Sequence, residues 1–126
     1  MTAATDDLAR AFDVVRAAAA ELDLPLVEEG EWYGTPALKL GKKGMLRLKD
    51  AETLVVRCPL EEKELLLEAA PEIYYETDHY RGWPAILVRL AAIDAGELRH
   101  RIVQAWRMQA PRKLVDELDR SETAGG

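Results

Sequence analysis

Apolar residues recur at helical spacing near the start of the chain. Leu8, Phe12, Val15, Ala19 and Leu22 follow one another at steps of four and three, which places them on one face of an amphipathic helix. Thr5 stands where an N-cap is needed, Asp6 and Asp7 fall in the first turn where the helix dipole favours acids, and Pro25 ends the segment. From Val27 the period changes. Glu28-Glu29-Gly30-Glu31 reads as a loop, and Trp32-Tyr33-Gly34-Thr35-Pro36 as a turn pairing aromatics with Gly and Pro. Three short alternating runs follow at 37–40, 45–49 and 53–57. Gly41-Lys42-Lys43-Gly44 and Asp50-Ala51-Glu52 separate them, the pattern of an antiparallel meander. Parity sends Leu38, Leu40, Leu46, Leu48, Leu54 and Val56 to one face. Lys39, Arg47, Lys49 and Arg57 go to the other, with Val55 among them.

In the second half, Pro59 suits the first turn of a helix over 61–68 that stops before Pro71. Residues 73–76 and 85–90 read as a fourth and a fifth strand joined by a turn at 78–84. Asp94 and Glu97 form a capping-box pattern ahead of a helix whose buried stripe is Leu98, Ile102, Ala105 and Trp106. Pro111 breaks that helix, a short one through Leu114, Val115 and Leu118 follows, and 121–126 read as a flexible tail. This order predicts an α+β fold, with helices packed on one face of a mostly antiparallel sheet of about five strands, in a single domain over 1–120.

Composition narrows the setting. One cysteine, Cys58, allows no internal disulfide, which fits a reducing compartment. The first residues lack a basic segment followed by an apolar one, and the apolar runs are too short for a bilayer, so the expectation is a cytoplasmic protein with no membrane partner. The net charge of −6 weighs against nucleic acid as a whole-molecule field, but the charge is laid out in blocks. Residues 32–49 hold five bases and no acid, and residues 79–113 hold seven bases and two acids, with acidic stretches around both. A fold that joins the two basic blocks makes a cationic face; otherwise they are solvated surface.

Chemistry-bearing residues are few. Four of the eight aromatic residues fall within Tyr74-Tyr75-Glu76-Thr77-Asp78-His79-Tyr80-Arg81-Gly82-Trp83-Pro84, together with one of the two histidines. His79 is adjacent to Asp78, but sequence neighbours on a strand or turn point apart, so it reads first as a structural or ligand-contacting histidine; no enzyme is expected, and an enzyme using His79, the one catalytic candidate, is the least supported alternative. His100 reads as solvated surface. The His and Cys spacing matches no zinc site, the acids of the first helix read as a solvated face, and no cofactor is implied. Gly41-Lys42-Lys43-Gly44 is too short for a phosphate loop. It reads as a hairpin tip whose lysines serve either as a nucleic-acid wing or as a guard against edge pairing. Trp32, Tyr33, Tyr80 and Trp83 come from two separate turns. They form either a contact surface beside Arg81 or a lid on one end of the core.

Tyr33-Gly34-Thr35-Pro36-Ala37, His79-Tyr80-Arg81-Gly82-Trp83-Pro84 leading into Leu87-Val88-Arg89-Leu90, and Ala105-Trp106 with Ala110-Pro111 together resemble the MmcQ/YjbR family of small bacterial proteins. The resemblance runs from the first helix to Leu114. It implies a frataxin-like fold and DNA binding through a double wing of hairpins: here the tip at Lys42 and Lys43, and the turn at Tyr80, Arg81 and Gly82. The frataxin likeness also implies iron at the acidic first helix, by analogy alone. The expected function is thus non-enzymatic DNA binding, with Lys39, Lys42, Lys43, Arg47, Lys49, Arg81 and Arg89 on phosphate. The aromatic contacts are Trp32, Tyr33, Tyr80 and Trp83. The alternative is a protein-interaction or small-ligand module built on residues 80–84.

Overall fold

The computed structural model describes residues 3–125, with side chains over 7–120. Helix α1 spans Ala3–Leu22 and buries Phe12, Val15 and Ala18. It begins ahead of Thr5, which therefore lies inside the helix and does not cap it; Ala3 and Ala4 are strong helix formers that extend it backwards. Trp106, fully buried, donates its indole N–H to the Pro25 carbonyl at 2.9 Å and so fixes the segment that follows α1.

Six strands form one antiparallel sheet among the described residues: β1 Val27–Trp32, β2 Thr35–Leu40, β3 Lys43–Leu48, β4 Thr53–Arg57, β5 Tyr74–Tyr75 and β6 Ala85–Arg89. Their spatial order is β1-β2-β3-β4-β6-β5. Strand β1 is the one beyond the expected five. Its Glu28, Glu29 and Glu31 gave it the look of a loop, but on a sheet edge those charges repel further strands. Tyr33 and Gly34, with φ of 55° and 78°, make the two-residue turn whose twist matches the strands it joins. The next hairpin turns at Gly41 and Lys42 alone; Lys43 and Gly44 already belong to β3. Leu38 pairs with Leu46 and Lys39 with Gly44, so Met45 is an extra residue, and this bulge lets Met45 and Leu46 both enter the core.

The helices α2 Leu60–Ala69, α3 Ala95–Gln109 and α4 Arg112–Gly125 join α1 on the face that carries Leu38, Leu46, Leu54, Val56, Ile86 and Val88. Helix α4 extends through the positions expected to form a tail from Ser121, its Leu114, Val115 and Leu118 packed on the core. Asp94 Oδ1 accepts the Glu97 amide at 2.8 Å and caps α3, but the Glu97 carboxylate accepts from the Tyr74 hydroxyl. Only half of the capping box forms. Among the described residues no helix packs on the opposite face of the sheet. There Val55, Ala85 and Leu87 make a second, small apolar cluster bordered by Tyr75 and Tyr80.

Candidate ligand-binding site

Parity along β3, β4 and β6 puts Arg47, Val55, Arg57 and Ala85 on this open face. Two turns rise over it, one joining β1 to β2 and the other spanning residues 78–84. Between them lies a cavity of about 490 Å³, within the range of small-molecule sites. Its walls are Trp32, Tyr33 and Thr35 at the first turn, Arg47, Val55, Arg57 and Ala85 from the sheet, Lys49 just past the end of β3, and His79, Tyr80 and Trp83 from the second turn. The two aromatic turns thus adjoin.

Each wall has a local cause. The Trp32 ring lies where a Cβ on residue 44 would be, so only glycine at that position gives the indole its seat. The Trp32 and Tyr33 rings stack with centroids 5.6 Å apart. Over these rings lie two guanidinium groups, Arg57 at 5.4 Å from the Trp32 centroid and Arg47 at 5.2 Å from that of Tyr33. Arg47 also donates to the Tyr80 hydroxyl at 2.9 Å and to the Leu48 carbonyl at 3.1 Å. That bond to Tyr80 joins the first basic block to the second aromatic turn.

The second turn is held by a residue the sequence reading missed. Lys63 of α2 has only 3% of its surface exposed, and its ammonium donates to the carbonyls of Tyr80 at 2.7 Å and Trp83 at 3.0 Å while pairing with Glu76 at 2.8 Å. All three of its N–H donors are thereby used, which is what a buried lysine requires. Asp78–Tyr80 form a 3-10 turn, and Gly82, at φ 79°, closes the loop. The one trace in sequence is a single base among Glu61, Glu62, Glu64 and Glu68.

The cavity is electropositive. No Asp or Glu stands among its lining residues, while Arg47, Lys49 and Arg57 do. Lys49 forms a long ion pair with Asp50, at 4.0 Å, at the edge of the cavity. Arg57 touches the Trp32 ring, and its Nε is buried with no hydrogen-bond partner among the described residues. A guanidinium half withdrawn from water without a counter-charge attracts an anion.

The expected contact residues divide. Trp32, Tyr33, Arg47, Lys49, His79, Tyr80 and Trp83 meet at the cavity. Lys42 and Lys43 are exposed at the β2–β3 tip, and the pairing of Leu46 with Val56 and Arg57 with Ala85 brings that tip to the same end of the sheet as the 78–84 turn. Lys39 is half-buried on β2 outside the lining. Arg81 pairs with Asp78 at 2.9 Å. Arg89 lies apart on β6, its guanidinium 4.2 Å from the Tyr75 centroid and donating to the Pro71 carbonyl. His79 meets the Tyr80 ring edge-on at 4.8 Å. Its neighbour Asp78 is engaged by Arg81, so the two do not form a dyad. Arg57, placed on this face by parity, is the lining cation that was not among the expected contacts.

The buried titratable groups lie behind the sheet. Arg101 is 3% exposed and pairs with Glu62 at 3.0 Å. Beside it, burial pushes the Cys58 thiol up to about 11, and burial together with the bond to Glu97 raises the Tyr74 phenol. Among the described residues no group of three or more His, Cys, Asp or Glu is placed to hold a metal ion, and no helix is long and apolar enough to cross a membrane.

Known proteins share both sequence and fold with this chain. Uncharacterised proteins of Mycobacterium tuberculosis and Mycobacterium bovis are 47% identical to it over 53 residues, 42% of this chain and 41% of theirs, so the match spans less than half of those relatives. The crystal structure of the Deinococcus radiodurans protein DR2400, with its DUF419 domain, superimposes with a TM-score of 0.61 at 19% identity, covering 75% of this chain and 74% of that one. That likeness shows a common fold. The YjbR family model matches residues 22–108, which hold all six strands and the whole lining of the cavity, and the chain belongs to the YjbR family.

Proposed function

We propose that this protein is a non-enzymatic nucleic-acid-binding module whose contact surface is the open face of the sheet. The observation that carries the reading is the meeting of Arg47, Lys49 and Arg57 with rings from two turns around one cavity free of carboxylates. Aromatic faces accept unpaired bases of any sequence, and guanidinium forks accept phosphate. Lys42 and Lys43 extend the positive surface beyond the cavity at one end of the sheet, while Arg81 is paired with Asp78. The helices pack on the other face, so none is available on this one to enter a major groove. That favours single strands over duplex; of the two expected wings, the turn at 78–84 borders the cavity and the Lys42–Lys43 tip lies outside it.

The test is fluorescence anisotropy of labelled single-stranded and duplex DNA. Single-strand affinity should fall by about tenfold or more between ~50 and ~200 mM salt, and the double substitution Lys42→Glu, Lys43→Glu should weaken it further. Affinity indifferent to both changes overturns the reading. The 56% exposure of Trp83 favours a second reading, a protein-interaction or small-ligand module on residues 80–84. Under it, Trp83→Ala abolishes binding of the partner and the lysine changes do nothing.

A further inference from the structure

We infer that Arg57 anchors a receptor for one terminal phosphate ester carried beside a flat base, either a free nucleoside monophosphate or the phosphorylated end of a strand. The inference rests on the reading of the open face as a nucleotide-binding surface and narrows it to one chemical group.

Charge is the first argument. The arginines outside the cavity largely have carboxylate partners: Arg16 has Glu29, Arg99 has Glu21 and Arg101 has Glu62. In the cavity, Arg47 spends its donors on neutral oxygens, and the buried Arg57 Nε has no hydrogen-bond partner among the described residues. The lining thus holds three cations and no carboxylate, with Asp50 only at its edge, 4.0 Å from Lys49. An internal phosphodiester carries one negative charge, whereas a terminal monoester carries about −1.5 to −2 at neutral pH and offers three acceptor oxygens. The monoester answers the site better.

Ring placement is the second argument. Trp32 rests on Gly44 and carries Arg57, and Tyr33 stacks on Trp32 and carries Arg47. Among the described residues no ring or guanidinium stacks on Trp83, which lines the same cavity and is more than half exposed. It is the free face for a base. The Lys63 bond to its carbonyl already holds its backbone, so little ordering is needed on binding. The volume of about 490 Å³ suits a single nucleotide.

The probe is adenosine 5′-monophosphate, titrated against the intact protein by tryptophan fluorescence, with adenosine as the control. The inference predicts saturable quenching by the monophosphate, weaker by about tenfold or more for adenosine and for the Arg57→Gln variant. Arg57→Lys, which keeps charge but loses the fork, should fall between the two, and circular dichroism checks that both variants fold. A single strand bearing a 5′-phosphate is then compared with its 5′-hydroxyl twin. Preference for the phosphorylated strand identifies the strand end as the source, and binding of the monophosphate without either strand identifies the free nucleotide and removes the nucleic-acid reading alone. Equal, salt-sensitive binding of both strands with no monophosphate binding overturns the inference and leaves the broader reading standing. Equal affinity for adenosine and its monophosphate, or folded Arg57→Gln binding as the parent does, also overturns it.

Discussion

The Lys63 ammonium donates to the Tyr80 carbonyl oxygen at 2.7 Å, across the gap between α2 and the turn that walls the cavity. Two elements on opposite sides of the sheet edge are joined by one side chain that also reaches Trp83 and Glu76. The turn that presents Tyr80 and Trp83 is thereby held before any ligand arrives. Preorganisation of this kind lowers the ordering cost of binding.

Lys63→Met should therefore destabilise the protein by about 3 kcal/mol, because two carbonyls and a carboxylate lose their donor. The value sits at the lower end of the range for buried pairs because Glu76 retains some contact with water. Urea denaturation measures it. A folded variant with unchanged stability would show that the bonds to Tyr80 and Trp83 contribute nothing net.

At the other wall, Gly44→Val should drive the Trp32 indole off its seat. The expected cost is about 1–3 kcal/mol from overpacking, with a red shift in tryptophan emission as the ring meets water. Unshifted emission in the folded variant would place the ring elsewhere.

Tyr33 holds a φ of 55° and is 79% exposed. A tyrosine in the left-handed region costs about 1 kcal/mol that asparagine largely escapes. Tyr33→Asn should stabilise the fold by about that amount while weakening binding, since Arg47 then loses the ring beneath it. Urea midpoints and ligand titrations read the two effects separately.

Much of this arrangement was legible in the chain. The helical spacing of Phe12 and Val15 and the strict alternation of Leu46, Arg47 and Leu48 fix which side is core, because a side chain on a strand can face only one way. The same parity put Arg47, Lys49 and Arg57 together. Strand β1 was not legible, since an edge strand need bury little and its glutamates erase the alternation. Lys63 was hidden for a different reason. Its partners are mostly backbone carbonyls seventeen and twenty residues away, and backbone oxygens leave no mark in a sequence. That the two aromatic turns adjoin is likewise a matter of strand order, which local pattern does not encode.

Alkaline pH should weaken the fold through Cys58 and Tyr74. Burial raises the thiol from 9.0 to about 11, and the Tyr74 phenol is raised as well. Below about pH 9 both states keep the thiol proton and the contribution is complete. Between about 9 and about 11 the unfolded chain loses a proton that the folded chain retains, so stability falls as pH rises. Urea midpoints at about pH 8 and about pH 10.5 should show this decline, and Cys58→Ala should reduce its slope. An identical slope in that variant would rule out the thiol as a contributor.

The central claim is that the helix-free face of the sheet is the binding surface. The most direct measurement is an NMR titration with a 5′-phosphorylated single strand, following amide signals and the three indole N–H signals. The account predicts shifts at Trp32, Arg47, Arg57 and Trp83, with the buried Trp106 indole and the amides of α1 unmoved. Shifts confined to the helical face, or none at saturating strand, would contradict it.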